Sequence, residues 1–370
     1  MKTKKRMNKF TSSNVISWKN WLKIDHDDRP ALAFFFLSRK NAPNARYLPL
    51  LNQMQNVRIV LFEGSRFGKL DYFHLKLFKI FIKKTHYKQK NYNWILITDT
   101  QVADMTTKQI LDIDDPTYTQ RELNDIQLWE KKLKMNGTRG VIVVTNETTR
   151  KYFLDSKLSS DIFIIQQGHS SKKITDVQKF KNFSVVYSSP YIDAVGDKHG
   201  NHPTWGVDIF IKKIVPKIIE NNPNISIHLI GNVGNNAYKF LEKYHQVIMH
   251  GYKSIDDNYR LLLKCHVALY PRTFDNKRRV LKIYEYIGAI LPIVTFDLED
   301  TKPVKELDVG ICVKTVDEFI EAVSSITKNY KIYSYFQKNL KSLTHDYSWT
   351  WLAQEYDTLI TNDFSNPETK

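Results

Sequence analysis

The sequence predicts an α/β protein with two mostly parallel sheets, one in each half of the chain. Short apolar runs alternate with longer amphipathic stretches from Ala31 to the last fifth of the chain, which is the pattern of successive βα units. A length of 370 residues is enough for two domains, and 42% apolar residues can fill two cores. A polar, lysine-rich stretch, Ser170 to Asn182, separates the two alternations and is the expected linker.

The first half contains the apolar runs of the first predicted sheet. These strands are Ala31–Leu37, Val57–Phe62, Trp94–Thr98, Ile110–Ile113, Gly140–Thr145 and Asp161–Ile165. Helices are expected between them. One has clear ends, because Thr119 and Glu122 have the spacing of a capping box and Asn136-Gly137 is a stop signal.

The second half repeats the alternation. Its predicted strands are Ser184–Tyr187, Ile225–Ile230, Val247–His250, His266–Tyr270, Ile293–Val294 and Val309–Val313. Helices are expected over Val207–Ile218, Tyr238–Tyr244 and Asp256–Leu263, after a capping box at Thr315–Glu318, and over Tyr347–Ile360. A loop is expected over Pro190–Thr204. We predict domains at residues 1–175 and 176–345, and a C-terminal segment, 346–370, whose helix could cross back to the first domain.

Charge and cysteine content narrow the classes of partner and compartment. Lys and Arg total 55 against 39 Asp and Glu, so the net charge of +16 suggests an anionic partner: nucleic acid, anionic lipid or a phosphorylated small molecule. The alternative is a solvated, lysine-rich surface without a dedicated polyanion partner. Cys265 and Cys312 both lie in apolar runs, which predicts reduced core thiols and no cysteine metal site. The basic first ten residues lack the apolar stretch of a signal peptide. We therefore expect a cytoplasmic protein, or one at the inner face of the cell membrane.

The segment from Arg278 to Asp297 is the most informative in the chain. Lys282, Glu285 and Tyr286 fall at i, i+3 and i+4, so they share one face of a predicted helix. A Gly288-to-Pro292 turn then leads into the apolar strand. The charged face beside a strand predicts a ligand-holding arrangement; the structural alternative is an ordinary surface pair worth ~0.2–0.5 kcal/mol.

The second half also contains five segments in a characteristic order: LIGNVG (Leu229–Gly234), MHGY (Met249–Tyr252), HVALYP (His266–Pro271), KIYEYIGAILPIV (Lys282–Val294) and DVGICV (Asp308–Val313). In this order and spacing they resemble the glycosyltransferases of the GT-B type, especially the retaining enzymes of family 4. The first half matches only in architecture. The resemblance implies two Rossmann-like domains whose sheets face a central cleft, and a nucleotide-diphosphate sugar bound mainly by the second domain, with no cofactor and no metal.

The resemblance also implies roles for individual residues. Glu285 matches the carboxylate that binds the ribose hydroxyls, and Lys282 would lie close to the phosphates. Because charge builds on the departing diphosphate, Arg279 of the basic cluster before the helix could stabilise it together with Lys282; a solvated loop is the alternative. The remaining donor-side candidates are Tyr286, Gly231, Pro271 and Arg272.

Two departures from the family pattern affect the donor site. Lys277 stands where a second glutamate is frequent, and Trp205 precedes Gly206 where the family carries a basic residue. The clamp on the diphosphate is therefore expected to be rearranged, or to be supplied by Arg272 and Arg279.

The first half offers weaker candidates for contacts on the acceptor side. Asp114 and Asp115 follow a strand and could face the cleft, with a loop cap as the alternative. Arg66 lies in a glycine-containing turn after another strand, and His169 follows the last strand of the first half. The spacing of Asp112 and Asp114 matches a metal-binding DxD pattern only superficially, so no metal site is expected there.

We therefore expect a hexosyltransferase-type enzyme that moves a sugar from a nucleotide-diphosphate donor to a saccharide or lipid-linked saccharide with retention, in cell-envelope polysaccharide or glycoconjugate synthesis. An aromatic and lysine-rich stretch, Tyr72–Lys84, could rest on an anionic membrane; a buried helix with a lysine-bearing outer face explains it nearly as well. Two alternatives stay open: a sugar-nucleotide epimerase of the same fold, and a basic nucleic-acid-binding protein. No RNA or DNA motif is visible, so no nucleic-acid partner is expected.

Overall fold

The computed structural model describes residues 15–17, 31–36, 47, 49–63, 94–97, 107–114, 116–169, 177–194, 206–275, 280–343 and 345–361. The chain divides into two compact units. The first comprises Met1–Gln166 together with Trp349–Lys370, and the second comprises Gln167–Ser348.

The first unit contains a parallel seven-stranded sheet in the order β1-β3-β2-β4-β5-β6-β7. Its strands are β1 (Val15–Ser17), β2 (Ala31–Phe36), β3 (Arg58–Glu63), β4 (Trp94–Ile97), β5 (Lys108–Ile113), β6 (Gly140–Val144) and β7 (Asp161–Ile164). The six predicted strands are confirmed, with ends shifted by at most two residues. Strand β1 was not predicted, because three residues are too few to show a period of two.

Among the described residues of this unit, helix α1 (Gln120–Met135) follows β5 and helix α2 (Glu147–Asp155) follows β6. Thr119 caps α1 as predicted, since its hydroxyl accepts the N–H of Glu122. The carboxylate of Glu122, however, accepts from the N–H groups of Thr117 and Tyr118 instead of returning to Thr119. Buried residues recur every three or four positions along α1, which fixes the face packed on the sheet: Leu123, Ile126, Trp129 and Leu133.

The last helix, α11 (Trp349–Thr361), packs within the first unit, although it lies at the end of the chain. The carboxylate of Asp357 accepts from the backbone N–H groups of Gln55 and Asn56, both at 3.2 Å. The indole of Trp94 donates to the carbonyl of Ile360 at 3.1 Å. These contacts join α11 to β4 and to the segment before β3.

The second unit contains a parallel six-stranded sheet in the order β10-β9-β8-β11-β12-β13. Its strands are β8 (Ser184–Ile192), β9 (Ser226–Val233), β10 (Val247–Met249), β11 (Val267–Tyr270), β12 (Ile293–Phe296) and β13 (Gly310–Val313). Counted within the unit this is the order 3-2-1-4-5-6 of the Rossmann fold. All six predicted strands are confirmed, but the loop predicted from Pro190 was wrong at its start, because β8 runs to Ile192. Pairing with β9 is interrupted between Ser188 and Tyr191, where Pro190 has no N–H to donate.

The helices of the second unit are α3 (Val207–Ile209), a π-helical segment (Phe210–Ile214), α4 (Val215–Asn221), α5 (Asn235–Leu241), α6 (Ile255–Lys264), α7 (Leu281–Gly288), α8 (Lys302–Glu306), α9 (Val316–Lys328) and α10 (Tyr330–Ser342). The predicted capping box of Thr315 and Glu318 is confirmed at α9. The helix widens into the π-helical segment just before Pro216, because proline has no N–H to donate a hydrogen bond to the carbonyl one turn earlier.

The sheet of the second unit has a core on each face. Val185 and Tyr187 of β8 pack in one core, and Val186 between them packs in the other. This alternation follows from the period of two along a strand. Helix α7 lies on the second face, where Ile283, Tyr284 and Ile287 are fully buried.

Candidate functional site

The candidate site lies where the strand order of the second sheet reverses, between β8 and β11. In open α/β sheets, ligands bind outside the carboxyl ends of the two strands that flank such a reversal. Strand β8 reaches this edge at Ser188, where its regular pairing with β9 ends. Strand β11 reaches it at Tyr270, and Pro271–Asp275 then lead toward α7. In the sequence, helix α7 therefore begins shortly after the carboxyl end of β11.

Lys282 and Glu285 form an ion pair one turn apart on α7. The ammonium of Lys282 is 2.5 Å from Oε2 of Glu285, and the two side chains are 19% and 27% exposed. The predicted i, i+3 relationship on one helix face is therefore confirmed as a contact. Both charged ends keep access to solvent, as a site for a polar ligand requires.

Tyr286 lies on the same side of α7 but is completely buried. Its hydroxyl oxygen accepts the backbone N–H of Ser188 at 3.2 Å. Burial raises the pKa of Tyr286 well above its ordinary value, so the phenol stays protonated. The structure thus uses Tyr286 to join α7 to the carboxyl end of β8.

Ser188 and Asn258 were not predicted as part of the site. The Ser188 hydroxyl donates to Oδ1 of Asn258 in α6 at 3.0 Å. The Lys282 ammonium is 3.5 Å from the same hydroxyl oxygen. Ser188 therefore contacts both α6 and α7. No sequence pattern signals this contact, because 70 residues separate Ser188 from Asn258 and 94 separate it from Lys282.

Arg272 follows β11 and its side chain is only 13% exposed. Its guanidinium donates to the hydroxyl of Tyr270 at 3.1 Å and lies 3.7 Å from the carboxylate of fully buried Asp300. A buried carboxylate needs such a counter-charge. The structure accordingly places Arg272 as a link from β11 to the short 3-10 helix Glu299–Thr301.

A second link holds the same loop. The carboxylate of Asp275 accepts the N–H groups of Glu299 and Asp300, at 2.9 and 3.3 Å. Pro271, which was predicted as a donor contact, is buried, and its carbonyl would be 2.1 Å from a Cβ at Gly206. Gly206 has a φ of +79°, so glycine is required there for two reasons. The loop after β11 is therefore fixed by the hydrogen bonds of Asp275 and by the close packing of Pro271 against Gly206.

Gly231 lies in β9 at the same edge of the sheet. A Cβ at this position would be 1.7 Å from the carbonyl oxygen of Ser189, and the φ of +145° is accessible mainly to glycine. Its N–H donates to the carbonyl of Gly251 at 3.0 Å. The structure therefore shows Gly231 as the residue that lets β9 approach the end of β8.

The carboxylate of Asp193 is bound at the N-terminus of α5, the helix that directly follows the LIGNVG segment. Oδ1 of Asp193 accepts the N–H groups of Ala194 and Ala237, at 2.7 and 3.0 Å, and Oδ2 accepts from the Tyr191 hydroxyl at 2.9 Å. A Cβ at Gly234 would lie 2.2 Å from Oδ2. Asp193 was not predicted as a site residue, although it lies directly after β8 at the start of a polar loop.

His169 lies in the second unit and is 2% exposed. Its N–H donates to the carbonyl of Tyr347 at 2.8 Å, and it forms a parallel bridge with Ser348. Its ring packs where a Cβ at Gly288 would come within 2.5 Å. His169 is therefore packed against Gly288, the last residue of α7.

The first-unit candidates are only partly described. Asp114 is half-buried just after β5. Asp112 of the DxD pattern is buried, and its carboxylate accepts from the hydroxyl of Tyr356 in α11. Asp115, Arg66 and Arg279 lie outside the described residues, as do Lys277, Arg278 and the stretch Tyr72–Lys84.

The described residues contain neither a candidate metal-ligand cluster nor a candidate membrane-spanning helix. Within the residues that the structure describes, no three or more His, Cys, Asp or Glu side chains cluster as metal ligands would. Over the same residues, no helix combines the length and apolar character needed to cross a bilayer. Both cysteines are free thiols, Cys265 buried and Cys312 half-buried.

Comparison with solved structures identifies the architecture. The chain superposes on the Anabaena protein HepE, solved with UDP and glucose, with a TM-score of 0.60 and 12% identity, over 90% of this chain and 100% of HepE. The trehalose-6-phosphate synthase OtsA matches with a TM-score of 0.59 and 12% identity, over 90% and 98% of the two chains. WaaG, a glycosyltransferase involved in lipopolysaccharide biosynthesis, matches with a TM-score of 0.56 and 11% identity, over 90% and 99%.

The chain has the GT-B fold. The fold class expected from the five segments is therefore confirmed. TarM of S. aureus, solved with UDP, is also similar, with a TM-score of 0.54 and 13% identity over 72% of this chain, which spans about half (55%) of TarM. No protein-family model matches the chain, and no curated protein sequence does. In this GT-B chain, Lys282, Glu285, Tyr286 and Ser188 meet at the reversal of a Rossmann-type sheet.

Proposed function

We propose that this protein is a glycosyltransferase that takes its sugar from a nucleotide-diphosphate donor bound by the second unit. The observation that carries the proposal is the Lys282–Glu285 pair, which joins the carboxyl end of β8 through Ser188. Its partly exposed carboxylate can accept hydrogen bonds from ribose hydroxyls, and its ammonium can contact a phosphate. The presence of UDP in similar solved structures supports the same ligand class.

In the proposed reaction, negative charge grows on the departing diphosphate as the bond to the sugar breaks. Lys282 is proposed to stabilise that charge, and Arg279, in the basic cluster before α7, is proposed as a second cation. Arg272 donates to the hydroxyl of Tyr270 and lies beside the carboxylate of Asp300. These contacts support a structural role for this arginine better than a role in binding the diphosphate.

The finer parts of the proposal concern the acceptor and the stereochemistry. We propose a hexosyl transfer with retention and without a bound metal, to a saccharide or lipid-linked saccharide of the cell envelope. Acceptor contacts are proposed for Asp114, Asp115 and Arg66, whereas the buried packing of His169 against Gly288 favours a structural role for that histidine. A peripheral contact with anionic lipid is proposed for the stretch Tyr72–Lys84.

Ligand-induced thermal stabilisation tests the donor class. UDP, GDP, ADP, CMP and their sugar conjugates would be compared with oligonucleotides at moderate salt. A ligand at 100 times its Kd should stabilise the folded chain by about 2.7 kcal/mol. We expect one base to stand out, with UDP tested first. Stabilisation by oligonucleotides alone would refute the proposal.

Chemistry with the selected donor tests the reaction. A radiolabelled nucleotide sugar should be hydrolysed slowly alone and transferred faster when the acceptor is added. NMR of the anomeric proton should show the donor's configuration in the product, and activity should survive EDTA. Conversion of the donor into an epimer without release of nucleotide would instead identify an epimerase. Vesicles with and without anionic lipid would test the membrane contact by co-sedimentation.

A further inference from the structure

Ser188 is held in place by three contacts from two helices. Its backbone N–H donates to the hydroxyl of Tyr286 in α7, its hydroxyl donates to Asn258 in α6, and its hydroxyl oxygen lies 3.5 Å from the ammonium of Lys282. Ser188 itself is 6% exposed and Tyr286 is fully buried. The serine oxygen therefore has a defined position at the carboxyl end of β8.

The direction of the serine proton gives this arrangement its chemical meaning. A hydroxyl has one proton and two acceptor lone pairs. Because the amide oxygen of Asn258 takes the proton, a lone pair remains available toward Lys282, whose ammonium can only donate. Without Asn258 the hydroxyl would lose this acceptor, and the serine oxygen would be held less firmly beside the ammonium.

A lysine ammonium needs more than one acceptor to stay in one place. It ends a flexible four-carbon stem that can adopt many rotamers. Glu285, on the same helix, is one acceptor at 2.5 Å. Ser188 is a second, and it comes from a strand of the sheet. Two acceptors from different elements limit the ammonium to a small volume beside the edge where β8 ends.

We propose that Ser188 and Asn258 are positioning residues, which hold the Lys282 ammonium where the diphosphate of the nucleotide binds. The inference rests on the proposed donor function and deepens it, since it adds two residues that act through Lys282. If Ser188 and Asn258 have this role, replacing either residue should lower the affinity for nucleoside diphosphates and should change the affinity for the nucleoside little.

A double-mutant cycle tests this role. Binding of UDP, GDP and ADP, and of uridine, guanosine and adenosine, would be measured by calorimetry on the full chain. Lys282→Ala should weaken binding of the preferred diphosphate about 10- to 100-fold, the range of one charged hydrogen bond. Ser188→Ala and Asn258→Leu should each weaken it about 5-fold, and by less than 2-fold when Lys282 is already Ala.

The controls separate positioning from a fault in folding. Ser188→Thr keeps a hydroxyl and should retain most of the affinity for the diphosphate, and nucleoside binding should change little in every variant. Equal losses in the presence and absence of Lys282 would overturn the inference, as would equal losses for nucleoside and diphosphate. If the wild-type chain binds none of the six ligands, the proposed function itself fails, which is a different result from diphosphate binding that is insensitive to Ser188.

Discussion

The Lys282 ammonium and the Glu285 carboxylate lie 2.5 Å apart on α7, and the ammonium is 3.5 Å from the hydroxyl of Ser188 in β8. The same spacing recurs in the pair of Lys217 and Glu220 on α4, 2.8 Å apart with side chains 58% and 64% exposed. The two pairs share residue types and helical offset, but only the first reaches a sheet edge. The second pair is therefore a natural control for the first.

Replacing Glu285 with Gln should lower nucleotide affinity without unfolding the chain. Loss of a charged acceptor for two hydroxyl hydrogen bonds corresponds to a drop in affinity of at least about 10-fold. The effect on stability should be below about 1 kcal/mol, because the pair is partly exposed. Calorimetric titration with UDP, GDP and ADP measures the first effect, and urea unfolding measures the second.

Glu220→Gln provides the matched control for that variant. Its nucleotide affinity should equal that of the wild type, since Glu220 lies on α4 and is exposed. Unchanged binding by Glu285→Gln would remove Glu285 from the donor site.

Gly231→Ala should destabilise the second unit strongly. The added methyl group would meet the Ser189 carbonyl at 1.7 Å, and the backbone at +145° suits no side chain. We expect a loss of about 3 kcal/mol or more in the free energy of unfolding, the range of overpacking together with backbone strain. Urea unfolding followed by circular dichroism measures it.

Gly251→Ala controls for backbone conformation alone. Gly251 has a φ of +68° with nothing within 4 Å of a built Cβ, so its substitution should cost only about 1–2 kcal/mol. Similar losses for the two variants would contradict the role assigned to Gly231.

Tyr356→Phe should weaken the attachment of α11 to the first unit. The variant removes the hydroxyl that donates to the buried carboxylate of Asp112. A buried charge that loses a donor costs about 1–3 kcal/mol. Tyr335→Phe deletes a similar tyrosine–aspartate contact, to Asp308, on an exposed surface, and should change stability by less than about 0.5 kcal/mol. Equal losses of stability for the two variants in denaturant unfolding would argue against a special contribution of the buried contact between Tyr356 and Asp112.

Acid should destabilise the second unit between about pH 6.5 and pH 4, because the fold keeps His228 and His266 neutral. His228 is 2% exposed, stacks on Phe180 and shares a 2.8 Å hydrogen bond with His250. Burial lowers the pKa of His228 to about 4, and burial together with Lys179 does the same to His266. The unfolded chain binds these protons below about pH 6.5 while the folded chain does not, so stability is full above that pH and falls as pH drops.

His228→Phe should make the melting temperature less dependent on pH over that interval. The variant keeps an aromatic ring against Phe180 and removes one group that the unfolded state protonates first. His245→Gln, at an exposed position, should leave the pH dependence as in the wild type. If the His228→Phe profile matches that of the wild type, the acid effect arises elsewhere.

Most strands and the central ion pair could be predicted because their signals are local. Lys282 and Glu285 lie one helical turn apart, and each strand is a short apolar run between polar residues. The end of β8 was misplaced because Pro190 ordinarily marks a loop, whereas the strand continues past it to pair Tyr191 with Asn232. A register shift of this kind depends on the neighbouring strand.

The partners of the site residues could not be predicted, for a related reason. Asn258 and Asp300 are ordinary polar residues in their own segments. They become part of the site only through contacts with Ser188 and Arg272, which lie 70 and 28 residues away in the sequence.

The sequence by itself determined the alternation of strands and helices, the capping of α9 by Thr315 and the shared helix face of Lys282 and Glu285. These depend on periodicity and on hydrogen bonds within one turn of helix. Tertiary structure alone decided that Arg272 turns toward Asp300, that Asp112 receives Tyr356, and that Ser188 meets Lys282. The order of strands in each sheet brings such distant residues together, and burial then requires every charge and polar group among them to find a partner.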